Sequence, residues 1–129
     1  MAYFAEIDTG NRVLRVVAVD NWHLLDEDGN ESEDLGINFL KKRGDGNWRQ
    51  TSYNTRNGVH RLGGVPMRAN YAGIGWLWSE EHSIFHPPQP YPSFTLDIVK
   101  GQWTPPVPRP NKEVVWNEDT CKWIRKTPQ

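Results

Sequence analysis

The chain has 129 residues, a formal net charge of −1 and a mean hydropathy of −0.75, which allows one globular core with a small attached module but not two full domains. A balance this near neutral gives no electrostatic reason to expect nucleic acid, and no run approaches the ~18 apolar residues of a membrane span. Seven Trp, ten Pro and eleven Gly describe a turn-rich protein whose apolar area lies in a few large rings; with 12% aromatic residues, disorder is not the expected state.

Met1 to Phe4 leads straight into a strand pattern, so no signal peptide is expected. Tyr3-Phe4-Ala5-Glu6-Ile7 and Val13-Leu14-Arg15-Val16-Val17-Ala18-Val19 flank Asp8-Thr9-Gly10-Asn11 and predict a hairpin whose glycine takes the positive φ. The second strand is almost wholly apolar and is expected to be central. Asp26-Glu27-Asp28-Gly29-Asn30 reads as a polar loop, because calcium-loop spacing does not follow it. Asn30 with Glu33, or Ser32 as an alternative cap, predicts one helix over about 31–42, with Leu35, Phe39 and Leu40 as its apolar stripe. Lys41-Lys42-Arg43 fits a solvated helix end. Trp48-Arg49-Gln50-Thr51-Ser52-Tyr53 reads as a half-exposed strand, residues 54–70 as a long exposed hairpin or loop, and residues 71–78 as a returning strand with a glycine bend.

The last third repeats itself. An apolar anchor, a turn-forming Ser, Asp or Asn, a polar stretch, a second apolar anchor and then proline recur in Trp78-Ser79 to Phe85, Leu96-Asp97 to Trp103 and Trp116-Asn117 to Trp123, the last followed by Pro128. Anchors seven residues apart, joined by a tight turn, face each other across a β-hairpin. Pro87-Pro88-Gln89-Pro90-Tyr91-Pro92 and Pro105-Pro106-Val107-Pro108-Arg109-Pro110 predict stiff extended connectors. The expected architecture is mainly β: an N-terminal domain over 1–78 with one helix, then Pro-linked tandem hairpins over 79–129. Lone hairpins are marginal in water, so these are expected to lean on the rest of the chain, on one another or on a partner.

Reactive constellations are scarce. His82 and His86 are the only close histidines, but they flank a predicted turn rather than sharing a helix face, and no metal or other cofactor is expected. Cys121 has no histidine near it in sequence and, as a single cysteine, points to a reducing cytoplasm as the place of synthesis. Glu80, Glu81, Asp97, Glu118 and Asp119 stand at hairpin turns, where acids bond locally, so no catalytic role is assigned. Trp76, Trp78, Trp103, Trp116 and Trp123 have two readings: a stacking platform for glycan rings, or small cores of the repeats and their contacts with neighbours. Cross-strand spacing favours the second, and exposed tryptophans outside the anchors, such as Trp22 and Trp48, would discriminate.

Asn70-Tyr71-Ala72-Gly73-Ile74-Gly75, Pro90-Tyr91-Pro92-Ser93-Phe94-Thr95-Leu96, Trp103-Thr104-Pro105-Pro106-Val107-Pro108 and Trp116-Asn117-Glu118 together resemble small virion-associated structural proteins of tailed bacteriophages of the marine and cyanobacterial type. The resemblance spans most of the chain, although the segment 56–68 is longer than the pattern. It implies a non-enzymatic protein of the virion, most simply a capsid decoration or cement protein, with a tail or tail-fibre attachment protein and a host-glycan module as alternatives. The implied partners are major capsid or tail subunits, with many copies or a homo-oligomer on the particle. Trp78, Phe85, Tyr91, Phe94, Leu96, Trp103, Trp116 and Trp123 are the residues expected to meet them.

Overall fold

The computed structural model describes residues 2–126. The protein is mainly β, with one α-helix among the described residues. Strands β1 (Ala2–Ile7), β2 (Val13–Val19) and β3 (Asn47–Thr51) form an antiparallel sheet in the order β2-β1-β3. Among the described residues four hairpins of two- to four-residue strands follow: β4 (Thr55–Arg56) with β5 (Val59–His60), β6 (Leu77–Ser79) with β7 (Ile84–His86), β8 (Thr95–Asp97) with β9 (Gln102–Thr104), and β10 (Val114–Asn117) with β11 (Lys122–Arg125).

The β1–β2 hairpin forms as the sequence predicts, but Asn11, not Gly10, takes the positive φ, at 63°. Asp8 explains the shift: its Oδ1 accepts from Gly10 N–H at 2.8 Å and from Arg12 N–H at 2.9 Å, and this fixes the loop around an asparagine, a residue that tolerates the left-handed region. β1, not β2, is the central strand. The apolar run of β2 has a different cause, because both faces of the sheet are covered. On one face Ala5, Ile7, Val13 and Val16 pack with Ala72, Trp78 and Phe85; on the other Ala2, Phe4, Val17 and Val19 pack with Leu24, Trp48 and the helix residues Ile37, Phe39 and Leu40. A strand met on both faces loses polar alternation at the covered positions, here Val13, Val16, Val17 and Val19, while Leu14 and Ala18 stay exposed.

The helix α1 (Glu33–Lys41) is capped by Ser32, whose Oγ accepts from Leu35 N–H at 3.3 Å. Gly36 lets it approach the sheet: a Cβ there would stand 2.3 Å from the Phe4 ring. Leu35, expected in the apolar stripe, is exposed instead, because the buried face runs through Gly36, Ile37 and Leu40. Asn57 and Gly58, at φ 53° and 76°, make the tight turn of β4–β5. Residues 71–76, expected as strand, are irregular, with a turn at Ile74 and Gly75. Gly75, at φ 86°, bends it so that its N–H reaches Val13 O at 2.9 Å while Val13 N–H reaches Trp76 O at 2.8 Å.

The hairpin β6–β7 is thus the third layer of the body: helix, sheet, hairpin. The boundary expected at Trp78 falls inside this hairpin. Beyond His86 the burial changes sharply, and from residue 87 to 126 only Gly101 and Trp116 are buried.

Candidate functional site

The three repeated hairpins have one register. Trp78 faces Phe85, Leu96 faces Trp103 and Trp116 faces Trp123. Each loop holds four residues, and its last residue, Ser83, Gly101 or Cys121, sits at positive φ (53°, 62° and 51°). The residue after the first anchor shapes each turn. Ser79 Oγ accepts from His82 N–H at 3.2 Å, Asp97 Oδ1 from Val99 and Lys100 N–H at 3.0 Å each, and Asn117 Oδ1 from Thr120 N–H at 3.0 Å.

The hairpins are tied together through the connectors. Trp103 Nε1 donates to Pro87 O at 2.7 Å and Trp123 Nε1 to Val107 O at 2.6 Å, each to a carbonyl sixteen residues back. Ser93 donates through its N–H and its hydroxyl to the two oxygens of Glu118, at 3.2 and 2.6 Å, and Trp116 Nε1 donates to the same carboxylate at 2.9 Å. Tyr91, Phe94, Trp116 and Trp123 form a chain of rings with centroids 5.3, 5.4 and 5.1 Å apart, and Arg109 covers the last of them. The two distal hairpins therefore rest on the connectors, the last of them on both, with little interior of their own.

The turn acids act as structural acceptors. The Trp78 indole N–H, followed by the Arg49 charge and hydrogen bond, holds the Glu80 carboxyl below its ordinary range. The Lys100 N–H does the same for Asp97, and Ser93 and then Trp116 do so for Glu118. His86 is buried, its Nδ1 2.8 Å from Pro87 O and its ring edge-on to Trp103, while His82 lies on the turn beside Glu81. Cys121 is exposed, and its thiol lies 3.4 Å from Glu118 O. Among the described residues no three of His, Cys, Asp and Glu gather as a metal cluster. Pro128 lies outside the described residues.

Two of the eight residues expected to meet a partner are interior to the chain. Trp78 and Phe85, at 4% and 0% exposure, fill the core beneath β1 and β2, and the Arg49 and Arg68 guanidiniums lie over the Trp78 ring. The other six lie on the two distal hairpins and their connector. Trp116 is buried against Phe94 and Trp123; Phe94, Leu96, Trp103 and Trp123 are half-buried; Tyr91 is exposed. The proposed discriminators split: Trp22 is 90% exposed, whereas Trp48 is buried beneath the helix side of the sheet.

Two features of this region had no sequence signal. The outward face of the last hairpin carries Val115 opposite Ile124, both exposed, where the preceding hairpin has Thr95 opposite Thr104. Asn70, fully buried, joins three hairpins through its carboxamide. Compared with known proteins, the chain matches no family model, no curated protein and no solved structure.

Proposed function

We propose that the chain is a non-enzymatic structural protein of a tailed-phage particle, a capsid decoration or cement protein whose distal hairpins dock on neighbouring subunits. The sequence resemblance supplies the particle; one observation supplies the docking. From residue 87 to 126 the chain keeps regular hairpins while burying only Gly101 and Trp116, and it presents Ile98, Val99, Val107, Val115 and Ile124 to solvent. An ordered segment with this much uncovered apolar surface suits a partner that supplies the missing layer. A particle offers many identical copies of such a surface.

Val115 and Ile124 are the cleanest probes, since they take no part in the indole ties that hold the hairpins together. Burying each remaining exposed aliphatic surface is worth about 1 kcal/mol. Val115→Ser with Ile124→Ser should therefore reduce co-sedimentation with emptied heads by about tenfold or more, with the thermal midpoint of the body unchanged. Binding to isolated tails but not to heads would move the protein to the tail. Unchanged binding by the double variant would remove the docking reading.

A further inference from the structure

We infer that the corner where Tyr3, Tyr53 and Tyr71 meet is a binding site for an anionic sugar, a saccharide ring carrying a carboxylate or sulfate. The three rings come from β1, from the turn after β3 and from the segment before β6. They pack on one another with centroids 6.0 Å (Tyr3–Tyr53), 5.7 Å (Tyr3–Tyr71) and 5.6 Å (Tyr53–Tyr71) apart, the last two edge to face. Tyr53 nevertheless stays 54% exposed. A cleft of about 560 Å³ opens beside it, walled by Tyr53, Tyr71, Asn54, Val59, Arg56 and Arg61.

The charges in this cleft are one-sided. It is lined by two guanidiniums and no carboxylate. Elsewhere Arg15 pairs with Glu6, Arg49 with Glu80 and Arg68 with Glu33, while Arg12 and Arg109 spend guanidinium nitrogens on backbone carbonyls. Among the described residues Arg56 and Arg61 pair with no acid. Arg61 is also held in place, its N–H on Asn54 O at 2.8 Å and its Nε on Asn54 Oδ1 at 2.7 Å, with the guanidinium carbon 5.0 Å from the Tyr53 centroid. The two terminal nitrogens are left to fork an anion, and little side-chain freedom remains to be lost on binding.

The surrounding backbone decides between a sugar and an acidic peptide. An extended peptide adds to unpaired backbone groups. Here they are taken: Thr55 N–H by Ser52 O, Thr55 O by Tyr71 N–H, Asn54 O by Arg61, Asn57 N–H by Asn70 Oδ1 and Gly58 N–H by Ala69 O. What remains free are ring surface, phenol hydroxyls and guanidinium nitrogens, a set that suits the apolar C–H face, the hydroxyls and the acid group of a charged sugar. The distal hairpins take no part, so the inference stands apart from the docking reading.

The test is titration of the full chain with a tetramer of galacturonic acid, read by calorimetry and by backbone amide shifts. A neutral galactose tetramer and tetraglutamate serve as the two comparisons. Saturable binding of the acidic sugar is expected, with shifts centred on Tyr53, Arg61 and Tyr71, and affinity should fall about ten- to a hundredfold in Arg61→Gln and in Tyr53→Ala. Arg56→Gln serves as the second variant should Arg61→Gln perturb the fold. Failure of the acidic sugar to bind, equal binding of tetraglutamate, or undiminished binding by the variants would each overturn the assignment.

Discussion

Asn70 shows how much one side chain holds in a fold with so little core. Its Nδ2 donates toward Phe85 O at 2.9 Å, Gly101 O at 3.0 Å and Lys100 O at 3.1 Å, while its Oδ1 accepts from Asn57 N–H at 2.9 Å and Gln102 Nε2 at 3.3 Å. Only a carboxamide offers donors and an acceptor in this geometry. Gly101 makes the approach possible: it sits at φ 62°, and a Cβ there would stand 2.3 Å from Asn70 Nδ2. Asn70→Ala strands several buried groups, each costing about 1–3 kcal/mol, so a loss of about 2–5 kcal/mol is expected, seen as a lower urea midpoint at an unchanged slope. Asn70→Asp should cost more at pH 7 than at pH 5. A carboxylate pressed against three carbonyls has its folded pKa raised, and protonation restores one donor. Equal losses at the two pH values would show that the carboxamide is not the tie between the hairpins.

An ion pair closes the open side of β3. Gln50 N–H donates to Glu33 Oε2 at 2.6 Å and Gln50 O accepts from Arg68 Nη1 at 2.8 Å, while Arg68 grips Glu33 with both terminal nitrogens. A carboxylate from the first turn of α1 and a guanidinium from the loop before Asn70 together stand where another strand would hydrogen-bond. Burial alone would raise the Glu33 pKa; the hydrogen bonds from Arg68 and Gln50 and the charges of Arg68 and Arg49 outweigh it and hold the carboxyl below its ordinary 4.5. A folded pKa below the unfolded one contributes stability that is fully present above the ordinary carboxylate range and is lost as pH falls through the folded value. Urea unfolding at pH 7, 5 and 3.5 should show stability falling at the acid end. Glu33→Gln should be weaker at pH 7 by about 1–3 kcal/mol and should lose less on acidification; parallel pH profiles for the two proteins would contradict this. None of this pairing was legible, because Glu33, Gln50 and Arg68 are far apart in the chain, and Glu33 reads locally as a capping acid while Gln50 and Arg68 read as ordinary surface residues. The hairpin registers were legible, since seven-residue spacing and a turn-shaping Ser, Asp or Asn act within ten residues. The same local spelling hid a difference: Trp78–Phe85 and Trp116–Trp123 read alike, yet only the first finds Ala5, Ile7 and Ala72 to bury it. Likewise the tyrosine corner depends on which loops meet, and no spacing announces it.

The molecule as a whole grades from a three-layer body into a ladder of two rungs, the first held to the body through Asn70 and Pro87 and the last to the connectors through Val107, Ser93 and Phe94. The ties are few: Trp103 to Pro87, Trp123 to Val107, and Ser93 of the first connector to Glu118 of the last hairpin. In such a stack, stability is close to a sum of local terms with nearest-neighbour coupling, so the last rung can open without the first. Native-state hydrogen exchange should therefore show amides of β1 and β7 opening only with global unfolding, those of β8 and β9 at lower free energy, and those of β10 and β11 lowest. Trp123→Phe keeps the ring but removes the indole N–H that meets Val107 O at 2.6 Å. It should lower the protection of β10 and β11 by about 1 kcal/mol and leave β1 unchanged. Uniform protection from β1 to β11, or a loss spread equally over both ends by Trp123→Phe, would mean that body and ladder unfold as one unit. In that case the distal hairpins could not adjust to a partner surface without cost to the sheet, and their exposed Val115 and Ile124 would be features of a rigid exterior.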